Sequence, residues 1–363
     1  MRITFVISHI EQGGAERVLL LLANHLAGTG HDISIVTYRP PLHATKLAPG
    51  VGIDVIARRK SWLPYPLQRI RALRRYLLRK HPDVAIAFVA GTNVEFAIAA
   101  IGLGFTRIGA ERSYPPRAGL SWPWEVGRRL CYGLLDGVVA QTEKGADWVR
   151  RKTLAGNNVA VISNPFVPGS RHDPVRTTAP PDGPFVLGMG RLAPEKNFAA
   201  LIRAFAQAGG AAAGWHLVIL GDGPLRGQLE QTACELGIEG RLILPGYQQD
   251  AERWFASASA FAMTSDFEGL PNALLEAVCT GLPSIAFDCD TGPAELIDNG
   301  ENGFLIPPGD EAAFTEHLGT LMRDPALRNR MGRSALARAG RYDIAGIADQ
   351  WLAVAARFGK ATR

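Results

Sequence analysis

Cysteine and long apolar runs are both scarce in this sequence. Its four cysteines, Cys131, Cys234, Cys279 and Cys289, form no C-x-x-C pair and show no metal-ligand spacing. This pattern indicates reduced thiols rather than a disulfide or zinc framework. The longest apolar stretch, residues 95–105, is roughly half the length that a membrane-spanning helix needs. No secretion signal is visible at the start, and we therefore expect a cytoplasmic protein.

Acidic residues are under-represented in the first half of the chain. Residues 1–165 hold 22 Lys and Arg against 11 Asp and Glu, whereas residues 166–363 hold 17 against 23. A total of 363 residues is long for a single hydrophobic core, so the asymmetry predicts two modules with different partners. Basic residues are densest between Val55 and Pro82, where there are nine of them and no acidic residue.

Strand-like and helix-like segments alternate along the chain in two series. Strands are expected at residues 2–8, 32–37, 83–90, 107–112, 137–142 and 159–165, and again at residues 185–190, 216–223, 241–246, 260–265 and 283–288. A stretch rich in Pro and Gly separates the series. The pattern predicts an α/β fold of two doubly wound, Rossmann-like domains, with a cleft at their strand C-termini.

Two glycine-containing turns at strand ends are candidate anion sites. The segment 188–197 carries Arg191 and Lys196 in one loop, where a guanidinium and an ammonium can bond phosphate oxygens. Gly13 and Gly14 stand at the start of the first helix, where unpaired N–H groups and the helix dipole favour anions. The alternatives are a solvated basic loop and a simple tight turn. The G-x-G-x-x-G spacing is absent, so no dinucleotide cofactor is expected.

A third candidate is the turn between Glu268 and Glu276, which opens an apolar helix. Pro271 fits the first helical turn, and the mouth of this helix can face an anion. A carboxylate at Glu276 can accept the two vicinal hydroxyls of a ribose, while Glu268 faces whatever lies beyond the phosphates. The alternative is a pair of acids that the helix dipole favours.

The motifs G-G-A-E, G-R-L-x-x-E-K-N and E-G-L-P-N-x-L-L-E, in this order, resemble the large family of retaining glycosyltransferases with the GT-B fold, often called family four. The resemblance covers nearly the whole chain and is strongest to enzymes of bacterial surface or lipid-linked glycans. It implies transfer of a hexose or N-acetylhexosamine from a nucleotide sugar, expected to be UDP-linked, to a glycan on a polyprenyl diphosphate. It implies no cofactor beyond this co-substrate.

The resemblance also implies a domain organisation. An acceptor-binding domain is expected at residues 1–168, a linker at 169–184 and a donor-binding domain at 185–343. The apolar helix in residues 344–363 is expected to pack back on the first domain. We further expect an anionic membrane surface, the inner face of the cell membrane, as a partner, and no nucleic acid.

Each candidate position receives a role from the resemblance. Arg191 and Lys196 would neutralise the donor diphosphate as it leaves, and Glu268 would contact the donor sugar; these three are the implied catalytic residues. The other implied donor contacts are the diphosphate at Gly13, Gly14, Leu270 and Asn272, the ribose at Glu276, and the base at Gly246 and Tyr247. The family retains the anomeric configuration, and same-face attack and a covalent intermediate both stay open.

One motif of other glycosyltransferases is present but is not expected to act. Asp288 and Asp290 form a D-x-D pattern, which elsewhere holds a divalent metal on the diphosphate. Since Arg191 and Lys196 already supply positive charge, we expect no metal. Other functions left open are an epimerase or another enzyme of the same fold, and a non-catalytic protein binding nucleic acid or anions through its basic half.

The acceptor side is suggested by two basic segments. Residues 111–113 resemble a Glu-Arg-Asn segment of enzymes acting on lipid carriers, so Arg112 could face an acceptor phosphate or hydroxyl, or Glu111 could pair with it. Residues 61–81 predict a cationic amphipathic helix that follows Trp62. Its apolar stripe is Leu67, Ile70, Leu73 and Leu77, and its basic ladder is Arg71, Arg75 and Arg79. Such a ladder suits an anionic bilayer or an acceptor diphosphate, and the alternative is an ordinary helix with a solvated basic face.

Overall fold

A computed structural model describes residues 1–11, 13–42, 46–56, 64–169, 178–209, 214–248 and 250–359. The chain divides into two compact units, one formed by Met1–Pro165 with Asp343–Arg363, the other by Phe166–Tyr342. Half of the expected linker, residues 170–177, and Trp62 lie outside the described residues.

Each unit is built on its own parallel sheet. The strands of the first unit are β1 (Arg2–Val6), β2 (Asp32–Thr37), β3 (Gly52–Val55), β4 (Val84–Phe88), β5 (Thr106–Ala110), β6 (Gly137–Ala140) and β7 (Val159–Val161). Those of the second unit are β8 (Phe185–Met189), β9 (His216–Leu220), β10 (Leu242–Ile243), β11 (Ala260–Met263), β12 (Ser284–Phe287) and β13 (Gly303–Ile306).

The strand orders are those of doubly wound sheets. The first sheet runs β3-β2-β1-β4-β5-β6-β7 and the second β10-β9-β8-β11-β12-β13. The direction of winding reverses between β1 and β4 and between β8 and β11, and ligands bind at such switch points, beyond the strand C-termini. The predicted fold class of two Rossmann-like parallel sheets is therefore confirmed.

Helices cover both faces of each sheet. In the described residues they are α1 (Gly14–Gly28), α2 (Tyr65–Lys80), α3 (Ala90–Ala99), α4 (Trp122–Cys131), α5 (Glu143–Lys152), α6 (Phe198–Ala208), α7 (Arg226–Glu235), α8 (Glu252–Ser257), α9 (Asn272–Cys279), α10 (Pro293–Leu296), α11 (Glu311–Arg323), α12 (Pro325–Arg338) and α13 (Ile344–Phe358). None of them is long and apolar enough to cross a bilayer. The apolar stretch at residues 95–105 belongs to α3 and the turn after it.

The last helix completes the core of the first unit. Trp351 of α13 is fully buried and stacks on Phe88 at the end of β4, with ring centroids 5.9 Å apart. Leu19 and Leu22 of α1 belong to the same apolar cluster. On the opposite face of the sheet, a second cluster contains side chains from α2, α3 and α5. All five residues of β4 are buried, as continuous apolar runs of parallel strands usually are.

Two strands were not expected from the sequence. β3 has no fully buried residue and lies at the edge of its sheet, so its sequence carries little apolar signal. β13 is also an edge strand, and two of its four residues are only half-buried. Short edge strands bury little surface, and their periodicity is correspondingly weak.

Candidate functional site

The loop after β8 carries both expected cations of the second unit. Arg191 donates from Nη2 to Glu195 Oε1 at 2.5 Å, and its side chain is 71% exposed. A 3₁₀ turn over Pro194–Lys196 follows, and Asn197 ends it in the left-handed region with φ of 47°. Arg191 therefore extends into solvent at the strand C-termini while Glu195 steadies its guanidinium.

Lys196 is held by one of the two acids of the neighbouring turn. Its Nζ lies 2.6 Å from Glu268 Oε1, and the two side chains are 22% and 12% exposed. The sequence suggested separate tasks for these residues, whereas the structure joins them in an ion pair. In this state the charge of Lys196 is offset by a carboxylate of the chain itself.

Hydrogen bonds tie the β8 loop to the turn after β11. The backbone N–H of Asp266 donates to the carbonyl of Glu195 at 3.0 Å. Thr264 Oγ1 donates to the carbonyl of Asn197 at 2.9 Å, and Asn197 Nδ2 donates to Asp266 Oδ1 at 3.1 Å. These bonds fix the distance between the cation loop and the Glu268 turn.

The loop after β12 supports the Glu268 turn from the other side. Thr291 Oγ1 donates to the backbone carbonyl of Glu268 at 2.6 Å. Gly292 has a φ of 100°, and a Cβ there would lie 2.5 Å from both the Gly269 carbonyl oxygen and Pro271 Cδ. Only glycine fits this close approach without strain.

The helix after the turn starts one residue later than expected. α9 begins at Asn272, and Pro271 is its N-cap, with φ of −73° and ψ of 108°. The expectation that Pro271 lies inside the first helical turn was wrong, because its ψ is extended rather than helical. Leu270 is buried beneath the turn, so this residue offers its backbone rather than its side chain.

Glu276 lies in the middle of α9 and is almost entirely enclosed. Its exposed fraction is 5%. Burial, followed by the nearby charge of Glu276, raises the pKa of the Cys279 thiol to about 12. A ligand that bonds this carboxylate must therefore reach a group that is largely enclosed by the protein.

The loops after β9 and β10 border the same edge of the sheet. Gly221 has a φ of 133°, and a Cβ there would overlap the carbonyl oxygen of Gly190. The N–H of Gly221 donates to the carbonyl of Gly246 at 2.9 Å, which links three consecutive loops. Tyr247 is half exposed beside them. The predicted base-bordering residues, Gly246 and Tyr247, thus lie on the edge that carries Arg191.

Carboxylates and cations balance each other across this edge. Burial raises the pKa of Glu195, but bonds from Arg191 and the charges of Arg191 and Lys196 outweigh it, so the net pKa lies below the ordinary value. Burial and then the charge of Glu268 raise the pKa of the Cys289 thiol to about 12. The site is therefore a set of ion pairs that an incoming anion would rearrange.

Glu195 was missed by the sequence reasoning. It pairs with Arg191 and anchors the Asp266 backbone, yet it was treated only as a spacer within G-R-L-x-x-E-K-N. Its position four residues from Arg191 in the same short loop was a usable signal, since opposite charges this close in sequence can form an ion pair. Among the described residues, no group of three or more His, Cys, Asp or Glu is arranged to hold a metal, and this includes Asp288 and Asp290.

In the first unit, the glycine turn is already occupied by a side chain. The N–H of Gly13 donates to Glu16 Oε2, and His9 Nε2 lies 3.5 Å from Glu16 Oε1. Burial raises the pKa of Glu16, although the bond from Gly13 and the charge of His9 partly counter it. Gly14 is the first residue of α1. An anion that uses the Gly13 N–H must displace this carboxylate.

Arg112 belongs to a buried polar network at the strand C-termini of the first unit. It donates to Asn164 Oδ1 and lies over the Phe88 ring, 5.5 Å from its centroid. Burial lowers the pKa of its guanidinium to about 9. Glu111 accepts a hydrogen bond from Tyr132 Oη at 2.5 Å, and its negative charge partly counters the effect of burial on the pKa of Arg112.

The basic ladder of α2 points to solvent, but most of its apolar stripe does not. Arg71, Arg75 and Arg79 are exposed. Leu73 and Leu77 are buried in the core of the first unit, whereas Leu67 is exposed. The predicted helix is present, and its apolar face chiefly packs on the protein itself.

Two family models match this chain. One, described as "Glycosyl transferases group 1", matches residues 170–338, and the other, described as "Glycosyltransferase Family 4", matches residues 12–168. Together they account for most of the chain, and each falls almost entirely within one of the two units.

Related proteins and solved structures agree with these two family matches. A Campylobacter jejuni protein, named an α-1,4-N-acetyl-D-galactosaminyltransferase acting on a diphospho-undecaprenol-linked glycan, is 27% identical over 97% of both chains. A Streptomyces coelicolor exopolysaccharide phosphotransferase is 34% identical over 60% of this chain, which spans only 23% of that longer protein. The Anabaena protein HepE in complex with UDP superposes with a TM-score of 0.80 at 21% identity, covering 98% of this chain and 100% of that one.

Proposed function

Because this chain belongs to the glycosyltransferases with the GT-B fold, we propose that it is a retaining, metal-independent enzyme with a UDP-sugar donor. It transfers a hexose or N-acetylhexosamine to a glycan acceptor carried on a polyprenyl diphosphate. The named substrate of the Campylobacter jejuni relative supports the acceptor class, and the UDP complex of the Anabaena protein supports the nucleotide. The product belongs to a surface polysaccharide or a related glycoconjugate.

The observation that carries this proposal is the edge of the second sheet where Arg191, Lys196 and Glu268 meet. Breaking the bond between the anomeric carbon and the diphosphate develops negative charge on the leaving oxygens. Two fixed cations stabilise that charge more in the transition state than in the ground state. The backbone of Leu270 and Asn272 at the mouth of α9 adds N–H donors.

Donor binding is then an exchange of ion-pair partners. A diphosphate oxygen takes over Lys196, and Glu268, released from its 2.6 Å contact, turns to the donor sugar. The side chain of Arg191 is largely exposed, so its ion pair with Glu195 contributes little free energy. The guanidinium can therefore leave Glu195 and reach the diphosphate at little energetic cost. Glu276 accepts the ribose hydroxyls, and the backbone near Gly246 and Tyr247 borders the base.

The first unit supplies the acceptor contacts. The exposed ladder Arg71, Arg75 and Arg79 offers three cations to the diphosphate of the lipid carrier or to an anionic membrane. Arg112, which is held in its buried polar network, contacts a phosphate or hydroxyl of the acceptor. Gly13 and Gly14 serve the donor diphosphate after the N–H of Gly13 leaves Glu16. The protein works at the inner face of the cell membrane.

A panel of UDP-, GDP- and ADP-sugars tests the donor class, with hydrolysis or transfer as the readout. UDP is expected to raise the melting temperature of the wild type, and the retained anomeric configuration is read from the product by NMR. The Arg191→Ala and Lys196→Ala variants are each expected to lose at least roughly a hundredfold in turnover. Arg203→Ala, which removes a cation paired with Glu311 outside the site, is the matched control.

Several outcomes would contradict the proposal. Wild-type turnover in a variant without both cations would remove its physical basis, and an inverted product would refute retention. Stabilisation by single-stranded nucleic acid but not by UDP would favour the binding-protein alternative. Interconversion of the free UDP-sugar without an acceptor would favour an epimerase.

A further inference from the structure

Large apolar side chains lie on the solvent side of the first unit, where the proposed reaction does not use them. Trp122, the first residue of α4, is 77% exposed, more than any other large apolar side chain of the described residues. Leu130 of the same helix is 56% exposed, and Leu154, which follows α5, is 66% exposed. With their exposed basic neighbours they form a surface, the α4–α5 face, consisting of Trp122, Arg129, Leu130, Arg151, Lys152 and Leu154.

Backbone contacts make this surface continuous. The N–H of Leu154 donates to the carbonyl of Arg129 at 2.8 Å, and a Cβ on Gly133 would lie 2.8 Å from Leu154 Cβ. Trp122 and Arg129 are seven positions apart, which places them on one stripe of α4. The apolar groups therefore extend along about 12 Å of the helix, from Trp122 to Leu130.

The charge around this face is positive. Residues 117–154 contain seven Lys and Arg against four Asp and Glu. All four acids are already paired with arginines: Glu125 with Arg129, Asp136 with Arg107, and Glu143 and Asp147 with Arg150. The surface thus combines exposed apolar groups with an excess of positive charge, and an anionic partner complements it.

We propose that the α4–α5 face docks this protein on an anionic lipid bilayer, with α4 parallel to the membrane plane. Tryptophan favours the headgroup level, and leucines beside it reach the acyl boundary. The flanking Arg and Lys side chains are attracted to anionic lipid. α2 is less suited to insertion, because Leu73 and Leu77 of its stripe belong to the protein core. This docking rests on the proposed function, which places the protein at the inner face of the cell membrane, and it assigns the membrane contact to a surface separate from the donor site.

Co-sedimentation of the full chain with vesicles tests the proposal. The vesicles contain equal parts of phosphatidylglycerol and phosphatidylcholine, and pure phosphatidylcholine vesicles are the comparison. The triple variant W122S/L130S/L154S is expected to bind at least about tenfold more weakly. A second variant, R129E/R151E/K152E, is expected to lose the preference for phosphatidylglycerol. L236S/L336S, which changes exposed leucines of the second unit, is the matched control and is expected to bind like the wild type.

Binding of the triple variant within about twofold of the wild type would overturn the proposal. So would loss of binding in R71E/R75E/R79E combined with full binding of the triple variant. A dimer that becomes a monomer in the triple variant, with vesicle binding retained, would identify the face as a contact between copies. Thermal stabilisation by UDP, measured in every variant, separates a failure of docking from a failure of the donor site.

Discussion

Lys196 and Glu268 form one ion pair, with Nζ 2.6 Å from Oε1, at the edge where three loops of the second sheet meet. Both side chains are largely shielded from water, so each depends on the other for its partner. A diphosphate that attracts Lys196 must therefore compete with Glu268. The proposed roles of the two residues can be separated on this basis.

Glu268→Gln is expected to bind UDP more tightly and to transfer sugar more slowly. Removing the carboxylate charge frees Lys196 for the diphosphate, which should lower the Kd for UDP by about three- to tenfold. Loss of the sugar contact should lower turnover by roughly a hundredfold. Calorimetry and a transfer assay give the two values. Glu311→Gln, which breaks the Arg203 pair of the same unit, should change neither value; weaker UDP binding in Glu268→Gln would refute the competition.

Thr291→Val is expected to weaken donor binding because the hydroxyl that holds the Glu268 carbonyl at 2.6 Å is lost. The cost should be about 1 kcal/mol in stability, together with a raised KM for the donor. Thr291→Ser keeps the hydroxyl and should restore donor KM close to the wild-type value. Equal effects of the two substitutions would mean that packing, and not the hydrogen bond, explains the change.

Gly292→Ala tests the close approach of two loops. The residue has a φ of 100°, and the added methyl group would lie 2.5 Å from the Gly269 carbonyl oxygen and from Pro271 Cδ. Gly300→Ala is the matched control, because its φ is 82° but a Cβ there meets open space. Both glycines have a positive φ, so a residue with a Cβ is strained at either position. The additional overlap at Gly292 should give a larger loss of Tm for Gly292→Ala in calorimetry.

Glu95 is expected to make stability depend on pH. It is buried beside Arg69, with Arg69 Nη2 3.0 Å from Oε2, and burial raises its pKa from 4.5 to about 7 despite the Arg69 charge. A carboxyl with a raised folded-state pKa favours the folded state fully below pH 4.5, and this contribution is lost as the pH rises through 7. Glu95→Gln lacks this slope. Its stability relative to the wild type should therefore rise by on the order of 3 kcal/mol between pH 4.5 and pH 8.

Denaturant unfolding of both proteins at several pH values measures this difference, and effects of other titrating groups cancel in it. Glu301→Gln, an exposed glutamate of the second unit, is the control. A flat difference between Glu95→Gln and the wild type would show that Glu95 titrates alike in the folded and unfolded chains.

Chelation tests metal independence. In the proposed site, Arg191 and Lys196 balance the diphosphate in place of a metal, so turnover in excess EDTA is expected to equal that in buffer. Restoration of a lost activity by Mg²⁺ or Mn²⁺ would contradict this expectation and would direct attention to Asp288 and Asp290.

The sequence predicted the two parallel sheets well because buried parallel strands carry continuous apolar runs, as in β4 and β8. It also predicted that Arg191 and Lys196 share one loop, since their spacing is local. It did not predict their partners. Glu268 is 72 residues from Lys196, and no periodicity encodes a pairing across that separation. The functional roles of these residues stay predictions.

Burial was the second property that the sequence left open. Leu73 and Arg75 lie on the same amphipathic helix, α2. The sequence pattern alone does not show whether the apolar stripe of this helix faces the protein core or a membrane. The structure places Leu73 in the core. Trp122 and Leu154 were overlooked for the opposite reason, because exposed apolar residues follow no local rule.

The return of α13 to the first unit has a consequence for biosynthesis. Ile347 and Trp351 fill the core around Phe88, yet they are translated after the whole second unit. The second unit is therefore synthesised in full while the first still exposes the apolar surface around Phe88 that these side chains will cover. Chaperone binding should accordingly concentrate on the earlier-made half of the nascent chain, and a stop codon at Asp343 should leave that half prone to aggregation.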